Sequence, residues 1–213
     1  MTKAAVPLLI VLGVAVSLST HTIVNCGDED EPDICSAVIG FSPFRGSLIA
    51  FAYEGRGRIA LRHGDNGRAV ADFSEAIHLN PNRASLYRDR AEAHRKNGEL
   101  EFAIADYDEA IALDPRSAVP YRDRGLALAA KGDLDRAILS YSTAARLDPT
   151  DAQARLDRGL AYLAHGQTDD ARADFEAALA LPAGQNGRAR DAARAKLDEL
   201  GSARPTQVSA PRQ

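Results

Sequence analysis

Four stretches of this chain repeat one another at a fixed interval, and that interval constrains the fold more than any other feature of the sequence. Asn80-Pro81, Asp114-Pro115 and Asp148-Pro149 stand 34 residues apart. Gly64, Gly98, Gly132 and Gly166 keep the same spacing, as do Ala69, Ala103, Ala137 and Ala171, and again Ala76, Ala110, Ala144 and Ala178. With 16 glycines in 213 residues, one column would be glycine four times by chance at about 3 in 100,000, and scanning every column of the period leaves about 1 in 1,000. Agreement in several columns excludes coincidence, so the core must grow by stacking like units.

Counting each unit from Ala50, Ala84, Ala118 and Ala152, position four reads Tyr53, Tyr87, Tyr121, Arg155 and position eight reads Gly57, Ala91, Gly125, Gly159. Position twenty-four reads Phe73, Tyr107, Tyr141, Phe175. A turn glycine in mid-unit divides each into two helices, for example Ser85–Lys96 and Leu100–Leu113. Small residues at eight, twenty and twenty-seven let the two helices approach closely, and the aromatics at four and twenty-four fill the space between them. The Ala-rich, Trp-free composition, with 6% aromatic residues, follows from those small-residue columns. Stability then adds unit by unit with nearest-neighbour interfaces.

This pattern resembles the tetratricopeptide repeat over residues 50–185, of the kind found in small exported bacterial proteins. The resemblance implies an all-α, right-handed superhelical α-solenoid of four units, 50–83, 84–117, 118–151 and 152–185, with a C-terminal capping helix over 186–200 and a disordered tail over 201–213. Arg155 departs from the aromatic at position four, Ala91 from glycine at eight, and Pro182 comes one place early, as terminal repeats often vary. Segment 23–49 reads as a degenerate half-repeat, with a short helix over Pro32–Gly40.

In this family the first helices line a concave groove that receives a partner. The groove positions here make the N-terminal half charged, with Arg58, Arg88, Glu92 and Arg95 as candidate contacts, and the C-terminal half apolar, with Leu126, Leu156, Leu160 and Leu163 as candidate contacts beside Arg122. An exposed apolar cluster with a polar rim suits a peptide or protein segment presenting aliphatic or aromatic anchors. The same leucines also suit packing against the capping helix around Leu197 and Leu200, and the two readings stand side by side. Nearby Asp89, Asp123 and Asp157 are placed to neutralise the arginines. The recurrent Arg56, Arg90, Arg124 and Arg158 at position seven accompany Asp72, Asp106, Ser140 and Asp174 at twenty-three, which points to ion pairs between the two helices of a unit. Some members of the family clamp a C-terminal carboxylate with Lys and Asn; Glu54, Arg58 and Asp89 occupy those places here, so that clamp is absent.

The chain opens with Lys3 and an apolar run from Ala4 to Leu18. That run is short of the roughly 20 residues a spanning helix needs and fits a secretory signal peptide over residues 1–22. Cleavage after Ser19 and after Thr22 both fit. An uncleaved anchor, which alone would give a membrane association, and a lipoprotein acylated at Cys26 are the alternatives; Asn25 before Cys26 argues against the second. A periplasmic or secreted location follows, and there Cys26 and Cys35 form a disulfide that pins the N-terminal edge.

No catalytic pattern appears. The histidines are scattered without a second ligand at helical spacing, and no phosphate loop, nucleophile elbow or dinucleotide fingerprint occurs. A net charge of −4 gives no electrostatic footprint for nucleic acid. The sequence therefore predicts a non-enzymatic interaction scaffold with a protein or peptide partner and no cofactor or metal. The alternative is a structural subunit of an envelope assembly that self-associates through its repeat ends.

Overall fold

A glycine in the left-handed region ends the first helix of every repeat, with φ of +78° at Gly64 and Gly98, +86° at Gly132 and +84° at Gly166. A side chain is strained in that conformation. At Gly132 the helix end closes on itself: Gly132 N–H donates to Ala129 O at 3.0 Å and Asp133 N–H to Leu128 O at 2.9 Å. The next helix starts at once, and the Asp65 and Asp133 carboxylates cap theirs by accepting from Arg68 N–H and Arg136 N–H.

The computed structural model describes residues 46–202 together with Ser36 and Ile39. Its helices are α1 (Gly46–Arg62), α2 (Asn66–Leu79), α3 (Ala84–Lys96), α4 (Leu100–Leu113), α5 (Ala118–Lys131), α6 (Leu134–Leu147), α7 (Ala152–Ala164) and α8 (Thr168–Ala180). A 3-10 turn at Gly184–Asn186 then leads into α9 (Gly187–Ser202). No strand occurs among the described residues, and none of these helices is long and apolar enough to cross a membrane.

The chain divides into two bodies, one ending at Pro81 and the other beginning at Asn82. In the N-terminal body α1 packs on α2. Ser36 and Ile39 are helical, and Ile39 rests on Ala52 and Ile59. In the C-terminal body each helix from α3 to α9 packs on its successor. The fold is the all-α helical-repeat solenoid that the period predicts.

Within every repeat the seam is a small residue against a flat ring. A Cβ placed on Gly57 would lie 2.9 Å from Phe73, one on Gly125 would lie 2.5 Å from Tyr141, and one on Gly159 would lie 2.5 Å from Phe175. Repeat two fills the same place with Ala91, buried in one cluster with Tyr107. All four rings are buried, as are the alanines at positions twenty and twenty-seven.

The tyrosines at position four do something different from what the sequence suggests. They are half-buried, Tyr121 packing on Ala144, Ala145 and Ala154 at the junction of α6 and α7, and each serves a guanidinium as well. The guanidiniums of Arg56, Arg90 and Arg124 lie over the rings of Tyr53, Tyr87 and Tyr121, at 5.4, 5.8 and 5.6 Å from the centroids. Tyr121 Oη also donates to Pro115 O at 3.4 Å, and Arg155 Nη1, at the equivalent place in repeat four, donates to Pro149 O at 2.7 Å. Both reach the proline carbonyl of the preceding turn, so Arg155 keeps the hydrogen bond of the residue it replaces. Arg158 stacks on Tyr162 instead, at 5.9 Å.

Two boundaries differ from those read in the sequence. Helix α1 starts at Gly46 and not at Ala50, because the added turn carries half-buried Leu48 and Ile49. Helix α9 runs through Gly201 to Ser202, whose Oγ donates to Glu199 O at 2.8 Å. The signal segment 1–22, the Cys26–Cys35 pairing and residues 203–213 of the tail lie outside the described residues.

Candidate functional site

The arginines at position seven act as stitches. Arg158 Nε and Nη2 donate to the two oxygens of Asp174 at 2.7 and 2.6 Å, while its Nη1 donates to Ser142 Oγ at 3.0 Å. Asp174 is sixteen residues ahead in the same repeat and Ser142 sixteen residues behind in the preceding one, so one guanidinium holds three helices. Arg124 makes the same two reaches with the partners exchanged: Nε donates to Ser140 Oγ at 3.2 Å ahead and Nη1 to Asp108 Oδ1 at 2.5 Å behind. Each arginine thus has one carboxylate and one hydroxyl. Arg56 pairs with Asp72 at 2.8 and 2.6 Å, and Arg90 with Asp106 at 2.8 and 2.7 Å. These side chains are structural and do not await a ligand.

The groove arginines are also engaged. Arg58 pairs with Glu54 at 2.8 Å in the N-terminal body. In the C-terminal body Arg88 donates to Asp89 at 2.7 Å, and Arg95 makes a two-pronged contact with Glu92, 2.8 Å on each arm. Glu92 also accepts from Tyr107 Oη at 3.4 Å. Arg122 sits among three carboxylates: Asp123 at 3.5 Å, Asp151 at 3.4 Å and Asp157 at 4.0 Å. Carboxylates one residue, one turn or about one repeat away thus reach each of these guanidiniums, Asp89, Asp123 and Asp157 among them.

Burial acts on those carboxylates. It pushes the Asp123 carboxyl above the usual range, with Arg122 and Arg88 pulling it back and Glu92 adding to the rise. Asp157 is pushed up to about 6, chiefly by burial, against the Gln153 amide and Arg122, which favour its charge, while Asp151 and Asp123 oppose it. Asp148 is held below the usual carboxylate range by hydrogen bonds from Thr150 Oγ1 and N–H.

The four groove leucines divide. Leu156 is buried, and Leu163 packs in the same cluster with Ala189, Ala193, Leu197 and Leu200 of the capping helix. Those two serve the cap. Leu126 rests on the core cluster around Leu128 and lines a cavity. Leu160, 38% exposed on α7, stays open to solvent.

That cavity, of about 690 Å³, lies where α5, the start of α7 and the start of α9 meet. Arg122, Leu126, Asp151, Asp157, Asn186 and Arg188 line it, with Asp148, Gln153 and Ala189. Asn186 fixes its wall: Oδ1 accepts from Ala152 N–H at 3.2 Å, and Nδ2 donates to Thr150 O at 3.0 Å and Pro182 O at 3.2 Å. The sequence reading missed Asn186 and Arg188, which lie where the repeat gives way to the cap. The signal was present, since Asn186 stands 34 residues after Ala152, at position one of a fifth unit. No group of three His, Cys, Asp or Glu among the described residues is arranged to hold a metal ion.

Residues 55–118 match the family model described as "Tetratricopeptide repeat" and residues 125–166 the one described as "TPR repeat". The chain carries tetratricopeptide repeats. Solved structures share the fold, TTC0263 and the RPAP3 domain among them described as tetratricopeptide proteins. MamA residues 41 to the end from Desulfovibrio magneticus RS-1 is 18% identical with a TM-score of 0.67, over 81% of this chain and 94% of that one. TTC0263, a thermophilic protein of Thermus thermophilus, is 23% identical with a TM-score of 0.62, over 78% and 88%. The second tetratricopeptide domain of human RPAP3, solved in complex with the HSP70 peptide SGPTIEEVD, is 27% identical with a TM-score of 0.53, over 55% of this chain and 97% of that domain. No curated protein sequence matches this one.

Proposed function

We propose that this protein is a non-enzymatic interaction scaffold of the cell envelope, which receives a peptide or protein segment along α3, α5 and α7 of its C-terminal body. The repeat fold supports the general role, since related tetratricopeptide domains are solved with bound peptides. The observation that carries the location of the site is the cavity of about 690 Å³ beside Arg122, Leu126 and Asp157, whose α7 wall continues into exposed Leu160. A groove needs a few apolar anchors and a few placed polar groups to bind a segment. Leu126 and Leu160 supply the first and the Asp151, Asp157 and Asn186 side chains the second. The exported location rests on the signal-like residues 1–22, and the small exported bacterial type follows from the same segment.

Two measurements test this. A photo-crosslinking amino acid at position 160 should give discrete adducts in cells, whereas one at Leu139, an exposed position on the second helix α6, should not. Equal labelling from both positions would refute the groove. A reporter enzyme that is active only outside the cytoplasm, fused after Gln213, should be active; an inactive fusion would refute export. A mass that rises with concentration in light scattering would favour the self-associating subunit in place of the scaffold.

A further inference from the structure

Resting on the peptide-groove reading above, we infer that the cavity between α5, α7 and the capping helix receives an uncharged amide, the side chain of an Asn or Gln in the bound segment, whose oxygen accepts from Arg122 while Leu126 and Leu160 hold an aliphatic neighbour.

The decisive group is the Arg122 guanidinium. Its Nε is buried and has no hydrogen-bond acceptor; Asp157 Oδ2 stands 4.0 Å away, too far for one. Gln153 Nε2 holds the same carboxylate by its Oδ1 at 2.8 Å, which keeps it from closing on Arg122. The other two nitrogens are loosely engaged as well: Nη1 donates to Asp151 Oδ2 over 3.4 Å, and Nη2 stays 3.5 Å from Asp123 Oδ1. The other groove arginines hold their carboxylates at 2.7 or 2.8 Å, Arg58 on Glu54, Arg88 on Asp89 and Arg95 on Glu92. Arg122 is thus the guanidinium whose donors are least spent, and it lines the cavity of about 690 Å³. A buried N–H without an acceptor is costly. The side chain as a whole is 29% exposed, so a ligand oxygen reaches the guanidinium from the cavity, and a turn of the loosely held fork brings Nε–H onto it.

Charge decides which acceptor fits. Asp148, Asp151 and Asp157 line the cavity with Arg122 and Arg188, three negative groups against two positive. A carboxylate or phosphate would add to that excess. A Lys or Arg would bring donors alone and leave Arg122 Nε as it is. An amide carries an acceptor and two donors with no net charge. Its oxygen takes the Arg122 N–H, a bond strengthened by the charge on the donor, and its nitrogen faces the carboxylates that share the wall. Asn186 cannot serve Arg122 from that wall, because its Oδ1 already accepts from Ala152 N–H. Leu126 beside the site and Leu160 further along α7 supply the apolar surface.

Phage-displayed random heptapeptides, selected on the purified full chain, test the inference. Enriched peptides should carry Asn or Gln next to an aliphatic residue. A synthetic peptide of the enriched sequence should bind about tenfold more weakly when that amide is replaced by leucine, and about tenfold more weakly to Arg122→Met. Arg122→Lys, which keeps a cation beside Asp151 and Asp157 but loses the fork, should bind the peptide severalfold more weakly. The peptide and protein changes should not add, because both remove the same hydrogen bond. Enrichment of acidic or basic peptides without an amide, or losses that add, would overturn the amide pocket while leaving a peptide groove. Absence of any enrichment would overturn the groove itself and the pocket with it. Circular dichroism of both variants establishes that each is folded before binding is compared.

Discussion

Arg158 and Arg124 occupy the same place in successive repeats, and their removal should have unequal effects. Arg158 makes two short bonds to Asp174, whose side chain is 7% exposed, while Arg124 faces a neutral Ser140 and an Asp108 that is 49% exposed. Arg158→Met would leave a buried carboxylate with no cation. Stranding a buried charge costs about 3–5 kcal/mol. Arg158 is itself 23% exposed, so water entering the vacated fork places the loss at the lower end, about 3 kcal/mol. Arg124→Met would leave Asp108 solvated and should cost about 1 kcal/mol, as for an exposed pair. Urea denaturation followed by far-ultraviolet circular dichroism reads both losses. Midpoint and slope are both needed, since a change of slope would mean that the repeats no longer unfold together. Equal losses for the two variants would refute the assignment of a buried carboxylate to Arg158 and an exposed one to Arg124.

Three further outcomes follow from the geometry. Gly125→Ala places a Cβ 2.5 Å from the buried Tyr141 ring and should lower stability by about 1–3 kcal/mol less the roughly 1 kcal/mol that alanine gains in a helix; a thermal melt at or above that of the parent would contradict the tight seam. Asp157, raised from 3.8 to about 6 in the folded chain, is protonated in both folded and unfolded states below about pH 4, so its contribution is fully present there and is lost as the pH rises toward 6. That loss amounts to about 3 kcal/mol, and Asp157→Asn, compared with the parent, should gain about that much between pH 4 and pH 7. A pH-independent difference would show that burial does not perturb this carboxyl. Asn186→Ala leaves Ala152 N–H without its acceptor and should cost about 1–3 kcal/mol, with faster amide exchange at Ala152; unchanged exchange there would remove Asn186 from the end of α7.

What the sequence discloses is set by the 34-residue period. Everything that repeats is legible: the turn glycines, the seam of Gly125 on Tyr141, and the Arg–Asp pairs, because position seven and position twenty-three recur together. Contacts that join one repeat to the next are harder to read. Asp108 and Ser142 look like ordinary polar residues on a second helix until the packing shows which arginine each one meets. The half-buried tyrosines at position four mislead for a related reason, since an aromatic column suggests the seam within a repeat, whereas Tyr121 lies at the junction with the next repeat and under a guanidinium. At the C-terminal end the period fails, and there the site residues Asn186 and Arg188 escaped notice. The apolar stripe of Leu156, Leu160 and Leu163 could not be divided between cap and groove from spacing alone, because the helix that separates them arrives from more than 20 residues away along the chain.

The exchange of Asp and Ser around Arg124 and Arg158 bears on how such an array can lengthen or shorten. Excising residues 118–151 would put Asp108 where Ser142 had been, and Arg158 would then face two carboxylates. Duplicating that repeat would do the reverse: the second copy of Arg124 would find Ser140 ahead and Ser142 behind, a cation with hydroxyls alone. The 34-residue unit is therefore not the piece that transplants cleanly. Nor does a second helix taken with the first helix that follows it escape this, because excising residues 134–167 would leave Arg124 with Asp108 behind and Asp174 ahead. The charge balance belongs to neighbouring repeats together, so lengthening or shortening the array calls for a compensating Asp–Ser exchange at the new junction.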